Sequence, residues 1–393
     1  MAALTGRTVA SADAVHGTAL FVINDEGTYL LRRPQDFPQL DISDLGELAH
    51  HQRMEKLYKR LRIKISDERT TIPREVPHMF PFNKWSTNLP GSTYFVPASD
   101  LTGMYINLLL SAFDEQQGIF FLDERNGYAP AGIGKFGKSR GGRLNDDPKP
   151  VDHRVGTVQL IELINSEFMV AEQAFIGHNM MLAEQAIGLG GWSHFATARD
   201  ASWFEAFNFR MGEQPLSRTM GNGLIGMLLR RILGRADGLT RALDSFDISL
   251  RTMVLNLVGQ NIKTPFPLGL EHDGEVLLKS YCPPYYKSME EAVLAFIDAK
   301  FARIKDGAEA SNWKDPETIG ASIPKFSDEC IAATIAYCEY IYNRYGRFPA
   351  YNGAFRMTLA HQAHHLDLEF YDKFYKPGAY TETQARHMEL WHS

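Results

Sequence analysis

Phe168–Trp192 reads FMVAEQAFIGHNMMLAEQAIGLGGW, and its spacing decides what kind of fold the chain can adopt. Phe168, Ala171, Phe175, His178, Leu182, Ala186 and Leu189 recur at intervals of three and four, the period of one helical face. Gly188-Leu189-Gly190-Gly191 closes the pattern, since glycine takes the left-handed conformation of a helix end without a Cβ clash. The spacing predicts a helix from about Ser166 to Ile187 with this stripe as its packed face. Asn179 and His178 within it need hydrogen-bond partners, because an unpaired buried polar group is costly. A neighbouring loop or a bound ligand would supply them.

On the N-terminal side, residues 18–32 read as two short strands around Asp25-Glu26-Gly27, and residues 43–61 carry helical spacing. Residues 68–98 hold five prolines and read as extended and loop-rich. A short helix is expected over Leu101–Phe113, a buried strand over Gly118–Leu122, and a long exposed loop over 126–152. On the C-terminal side the pattern predicts helix over 218–258, a loop at Pro265–Gly269, a strand at Glu275–Tyr281 and a helix over Ser288–Lys305. The division that follows is an N-terminal hairpin and helix (1–65), a core (66–305), a linker (306–326) and an appended helical C-terminal region (327–393). The class is α+β.

Forty-one basic against 47 acidic residues give a net charge of -6, which argues against a nucleic-acid partner, whose backbone needs a basic face. Three cysteines in 393 residues are no disulfide framework and suit a reducing, cytoplasmic setting. No apolar run approaches the ~20 residues of a membrane span; the nearest, Met220–Leu233, is broken by Asn222, Gly223, Arg230 and Arg231.

Three stretches carry chemistry. Gly132–Ser139 (GIGKFGKS) satisfies two phosphate-loop patterns, but a strand before it and a helix after it are needed to aim N–H groups at phosphate. Here turn residues precede it, and Arg140-Gly-Gly-Arg143 with Pro148 and Pro150 follow, so a nucleotide triphosphatase is not expected. Lys138 and Arg140 remain either a solvated basic loop or a hold for one phosphate. His361, His365 and Glu369 would share one face if their segment were a helix, a ligand set for zinc or a similar metal. The alternative is an aromatic amphipathic helix around Leu366, Phe370 and Phe374, which makes a metal the less favoured cofactor. Cys282, after a strand, is either a nucleophile or a buried thiol.

The Phe168–Trp192 segment resembles the central helix of the nitroreductase superfamily of FMN enzymes, with Asn179 at the mid-helix Asn position and Gly188-Leu189-Gly190 at its terminus. Two weaker likenesses lie in the same order. Ser86–Val96 is similar to that family's P-S-A-G-N-L-Q-P-W stretch, and Thr264–Leu270 to its late proline–glycine loop. The family's N-terminal arginine-rich segment and C-terminal Lys-x-Arg are missing, with Arg69 the only obvious cation near the former. The resemblance implies a nitroreductase-like mixed sheet flanked by helices, a homodimer, and FMN held by Asn179, Gly188, Gly190, Arg69, Lys138 and Arg140. It implies an oxidoreductase passing electrons between NADH or NADPH and a small organic acceptor. The alternatives are a flavin-free scaffold or binding protein on the same fold, and a metal-dependent enzyme using the C-terminal histidines.

Overall fold

The computed structural model describes residues 11, 15–31, 43–147, 154–195, 201–215, 263–305, 314–315, 318, 321–322 and 325–392. Along the chain the strands are β1 Thr18–Asn24, β2 Gly27–Leu31, β3 Arg62–Ser66, β4 Thr93–Asp100, β5 Phe120–Asp123, β6 Ala129–Pro130 and β7 Val155–Thr157. They continue with β8 Gly190–Phe195, β9 Phe209–Pro215, β10 Lys263–His272, β11 Glu275–Lys279, β12 Phe355–Arg356 and β13 Leu359–His364. The helices are α1 His50–Leu61, α2 Leu101–Ala112, α3 Val158–Ile187, α4 Ala201–Ala206, α5 Met289–Lys305, α6 Asp328–Tyr345, α7 Leu368–Phe374 and α8 Glu382–His392. The fold is mixed α+β, and no helix among the described residues is long and apolar enough to cross a membrane.

The main sheet runs β3-β2-β1-β4-β13-β8, with β12 pairing the end of β4, and every pair in it is antiparallel. One face packs on α3 through Leu20, Val22, Phe95, Ile176, Met180 and Ala363. The other packs on α4 and the β9–β11 sheet through Phe21, Tyr94, Trp203, Phe209 and Phe355. A further core joins α2, β5, α5 and α6 around Tyr105, Phe121, Phe296 and Tyr337.

The expected helix is present and longer than its spacing indicates, at 30 residues. Thr157 caps its first turn, and Gly188, at φ 84°, ends it in the left-handed region. Its orientation is the reverse of the expectation. Phe168, Phe175 and Leu182 face outward, while Glu162, Asn165, Glu172, Gln173 and Glu184 are buried. The inward polar groups bond backbone at the turn 350–351, at the start of β1 and at the start of α2. Glu162 accepts from Ala350 N and Tyr351 N, Glu172 from Thr18 N, and Asn165 donates to Leu101 O.

Burial pushes the Glu162 carboxyl up to about 7, against the opposing pull of those two N–H donors and of Arg347 and Arg125. The folded value lies above the ordinary 4.5, so folding favours the protonated form. Stability from this group is therefore complete below about 4.5 and is lost as pH rises to about 7. The loss should be at most about 3 kcal/mol. Glu162→Gln, which cannot ionise, should flatten that slope in urea melts between pH 4.5 and 7; an unchanged slope would assign it to other groups.

Several expectations are corrected. Residues 327–393 are not an appended helical region: β13 lies between β4 and β8 in the main sheet, and α6 contributes Tyr337, Cys338 and Ile341 to a shared core. Pro265–Gly269 is inside strand β10, where Pro265 and Pro267 are tolerated beside an irregularity in the pairing with β9. The 126–147 stretch buries Ala131, Ile133, Phe136 and Leu144, so it is packed loop rather than exposed loop. The helix expected over 218–258 lies outside the described residues, as does most of the 306–326 linker.

Candidate functional site

Strands β8 and β13 follow, respectively, the end of α3 and the β12 turn, and they pair with Gln362 opposite Trp192 and His361 opposite Ser193. Side chains alternate across a strand, so the two pairs lie on opposite faces. Gln362 and Trp192 face a loop formed by residues 80–92.

That loop is held by a dense polar network. Gln362 accepts from Asn88 N at 2.6 Å and donates to Ser86 O at 2.7 Å. Arg69 donates to Asn88 Oδ1 (2.8 Å), Ser92 O (2.5 Å) and Asp25 Oδ1 (2.8 Å). Asp25 in turn accepts from Gly91 N, and that bond together with Arg69 holds its carboxyl below the usual range. Between loop and strands lies a cavity of about 770 Å³, walled by Trp85, Trp192, Tyr371, Ser86, Gln362 and His365 among others. Its size falls within the range of small-molecule sites. The Ser86 hydroxyl, buried at its rim, has no hydrogen-bond partner. Trp192 stacks on His194 at 4.2 Å, and the His194 Nε2 is likewise unpartnered, its ring kept neutral by burial.

None of the six residues expected to hold FMN lines this cavity. Asn179 is half-buried on α3 and already has interactions within the protein. Gly188 allows a close approach, but by the chain itself: a Cβ there would sit 2.4 Å from Thr383 O of α8. At Gly190 a Cβ would meet Leu366 and His364 at 2.7 and 2.8 Å. Arg69 is a strut of the cavity wall. Lys138 and Arg140 are exposed on a single 3-10 turn of the β6–β7 connection, which packs on α6 through Gly132. That region adjoins the N-terminal end of α3, about 45 Å along the helix from Gly188. Only a three-residue 3-10 turn follows Gly137, too short to supply the N-terminus of an α-helix, so the phosphate-loop geometry is absent.

The metal-ligand geometry is corrected. His361 is on strand β13, not on a helix with Glu369, and Glu369 is exposed on α7. His365 stacks on His387 of α8, with ring nitrogens 3.0 Å apart. Among the described residues no three His, Cys, Asp or Glu side chains are gathered for a metal. Cys282 is buried, and burial pushes its thiol up to about 12, which removes the thiolate a nucleophile needs at neutral pH.

A flavin ring suits the cavity's size and its indoles, whereas the phosphate of FMN does not suit its lining, which includes no lysine or arginine. The sequence reading missed Trp85, Trp192 and Gln362. The available signal was the alternation in Leu359–His364, obscured by histidines that also fit a helical period. The chain matches no protein-family model, no curated protein and no solved structure.

Proposed function

We propose that the protein binds a planar heteroaromatic molecule in the 770 Å³ cavity and serves as an oxidoreductase with a flavin-type ring there. The observation that carries this is the two indoles on the cavity wall, Trp85 from the preorganised polar loop and Trp192 from β8, beside the unpaired Ser86 hydroxyl. Aromatic walls offer area at low entropic cost, and the unpaired hydroxyl offers a directional contact. A flavin would supply the redox chemistry, with a nicotinamide nucleotide as donor and a small organic acceptor. The chain's own part is to clamp the ring between Trp85 and Trp192 and to keep the wall rigid through Arg69 and Gln362.

The test is optical. Titration with riboflavin and with FMN should quench flavin fluorescence with dissociation constants within about tenfold of each other, because no lysine or arginine lines the cavity to reward the phosphate. Trp192→Ala should weaken both by at least tenfold. A preparation that is colourless and quenches neither flavin leaves a flavin-free binding protein on this fold as the better reading.

The proposal includes a homodimer. The outward face of α3 carries Leu160, Leu163, Phe175, Leu182 and Ile187, with Leu182 58% and Leu163 53% exposed. A continuous apolar face of that length on a well-packed helix marks an interaction surface, and a second copy offers the same face in return.

A further inference from the structure

On the face of the sheet opposite the cavity, three side chains from three elements meet. The His361 Nε2 lies 2.6 Å from Glu184 Oε1, and its Nδ1 lies 2.9 Å from Ser193 Oγ. His361 and Glu184 are each 2% exposed, whereas Ser193 is exposed. We propose that Ser193, His361 and Glu184 form a nucleophilic acyl-transfer site acting on esters of short apolar acids.

The polarity of the relay follows from donor and acceptor chemistry. A buried carboxylate accepts only, so it fixes the imidazole proton on Nε2. That leaves the Nδ1 lone pair facing the Ser193 hydroxyl, which therefore donates to it. Met181 Sδ, 3.7 Å from the same hydroxyl, is the weaker acceptor. An exposed hydroxyl, a base within hydrogen-bond reach and a buried group that orients the base are the parts of an activated serine.

Two glycines make the arrangement fit. The Glu184 carboxylate occupies the space a Cβ on Gly191 would need, and a Cβ on Gly177 would sit 3.0 Å from Ser193 Oγ. Beside the serine is a cavity of about 140 Å³ lined by Ile176, Gly177, Met181 and Leu359, mostly apolar. It has room for roughly four or five water-sized groups, which suits a short acyl chain.

In the reaction, Ser193 Oγ bonds to the ester carbonyl carbon while its proton passes to His361 Nδ1. The carbon–oxygen bond to the alcohol then breaks, and the alcohol leaves with that proton. Water attacks the acyl-serine, giving its proton to Nδ1 and its hydroxyl to the acyl carbon. The acid departs, and the proton returns to Ser193.

Native protein should be treated with a fluorophosphonate probe and with p-nitrophenyl acetate, both as wild type and as the Leu182→Glu variant, and the label mapped by mass spectrometry. Label on Ser193, faster than on exposed Ser139 or Ser43, with a matching p-nitrophenol burst in either form, supports the proposal. Ser193→Ala should abolish both. Glu184 is a positioning residue. Glu184→Gln keeps a hydrogen bond but donates to Nε2, placing the ring proton on Nδ1, so labelling should slow by about a hundredfold or more and its pH profile should change. Absence of Ser193 label in both forms overturns the proposal, as does a Glu184→Gln protein that melts like wild type and labels at the wild-type rate. Neither readout requires a flavin, so failure here is separate from failure of the ring-binding reading.

Discussion

A Phe175→Glu, Leu182→Glu double variant is expected to sediment at the mass of one chain, where the unaltered protein, as the proposed homodimer, should sediment at two. Both side chains lie on the outward face of α3, so the substitutions leave the sheet-facing contacts of Ile176 and Met180 untouched. The helix, about 45 Å long and 10 Å across, would furnish roughly half of the ~800 Å² per partner that a standard interface buries. Leu390 and Trp391 of α8, which packs on α3, add exposed apolar area. Two carboxylates per copy, four per dimer, would then be buried without partners, and each costs several kcal/mol to desolvate. The dimer dissociation constant should rise by at least about a thousandfold, with unfolding in urea little changed. Analytical ultracentrifugation at micromolar concentration reads the outcome directly. An unaltered protein that is already a single chain would remove the dimer from the proposal.

Gln173→Leu is expected to lower the unfolding free energy by about 4 kcal/mol, which is a large share of the 5–15 kcal/mol of a typical domain. Gln173 is 1% exposed and makes four hydrogen bonds across the helix–sheet junction. Its Nε2 donates to Ser99 Oγ (2.8 Å) and Arg356 O (3.0 Å), and its Oε1 accepts from Thr358 N (3.0 Å) and Leu359 N (3.2 Å). Leucine fills the same space but strands those groups, at about 1–3 kcal/mol for each buried group left unpaired. The damage should concentrate at the entry to β13, so amide exchange at Thr358 and Leu359 should accelerate most. Because β13 carries both Gln362 and His361, ring binding and Ser193 labelling should weaken together in this variant. A loss under about 1 kcal/mol in urea melts would show that the junction relaxes around the gap.

The central helix, its glycine end, the N-terminal hairpin and the helices near 101–112 and 289–305 were legible because each is announced by neighbours within a few residues. Hydrogen bonds from residue i to i-4 and the left-handed φ at Gly188 are local requirements, and local residues meet them. The stripe from Phe168 to Leu189 was legible too, but its partner was not. Apolar periodicity reports that a face exists without reporting what covers it, and here the sheet claims the polar face because Glu172 and Gln173 satisfy its unpaired backbone. The site was less legible still. Arg69 was expected as a cation for a phosphate, and in the fold its guanidinium is bonded to Asn88 and Ser92 of the loop.

The histidine-rich segment shows most clearly where local reading ends. His361 and His365 are four apart, so residue spacing alone admits a helix, and the chain nearby supplies nothing to contradict it. What makes the segment a strand is pairing with Phe95 and Ser193, residues far distant in the chain, and only that pairing turns His361 toward Glu184 and Gln362 toward Ser86. Composition and period were enough to establish a mixed α+β chain with a long central helix. The assembly of both candidate sites waited on contacts that close long loops, whose free energy depends on the whole fold and leaves no mark in any short window of residues.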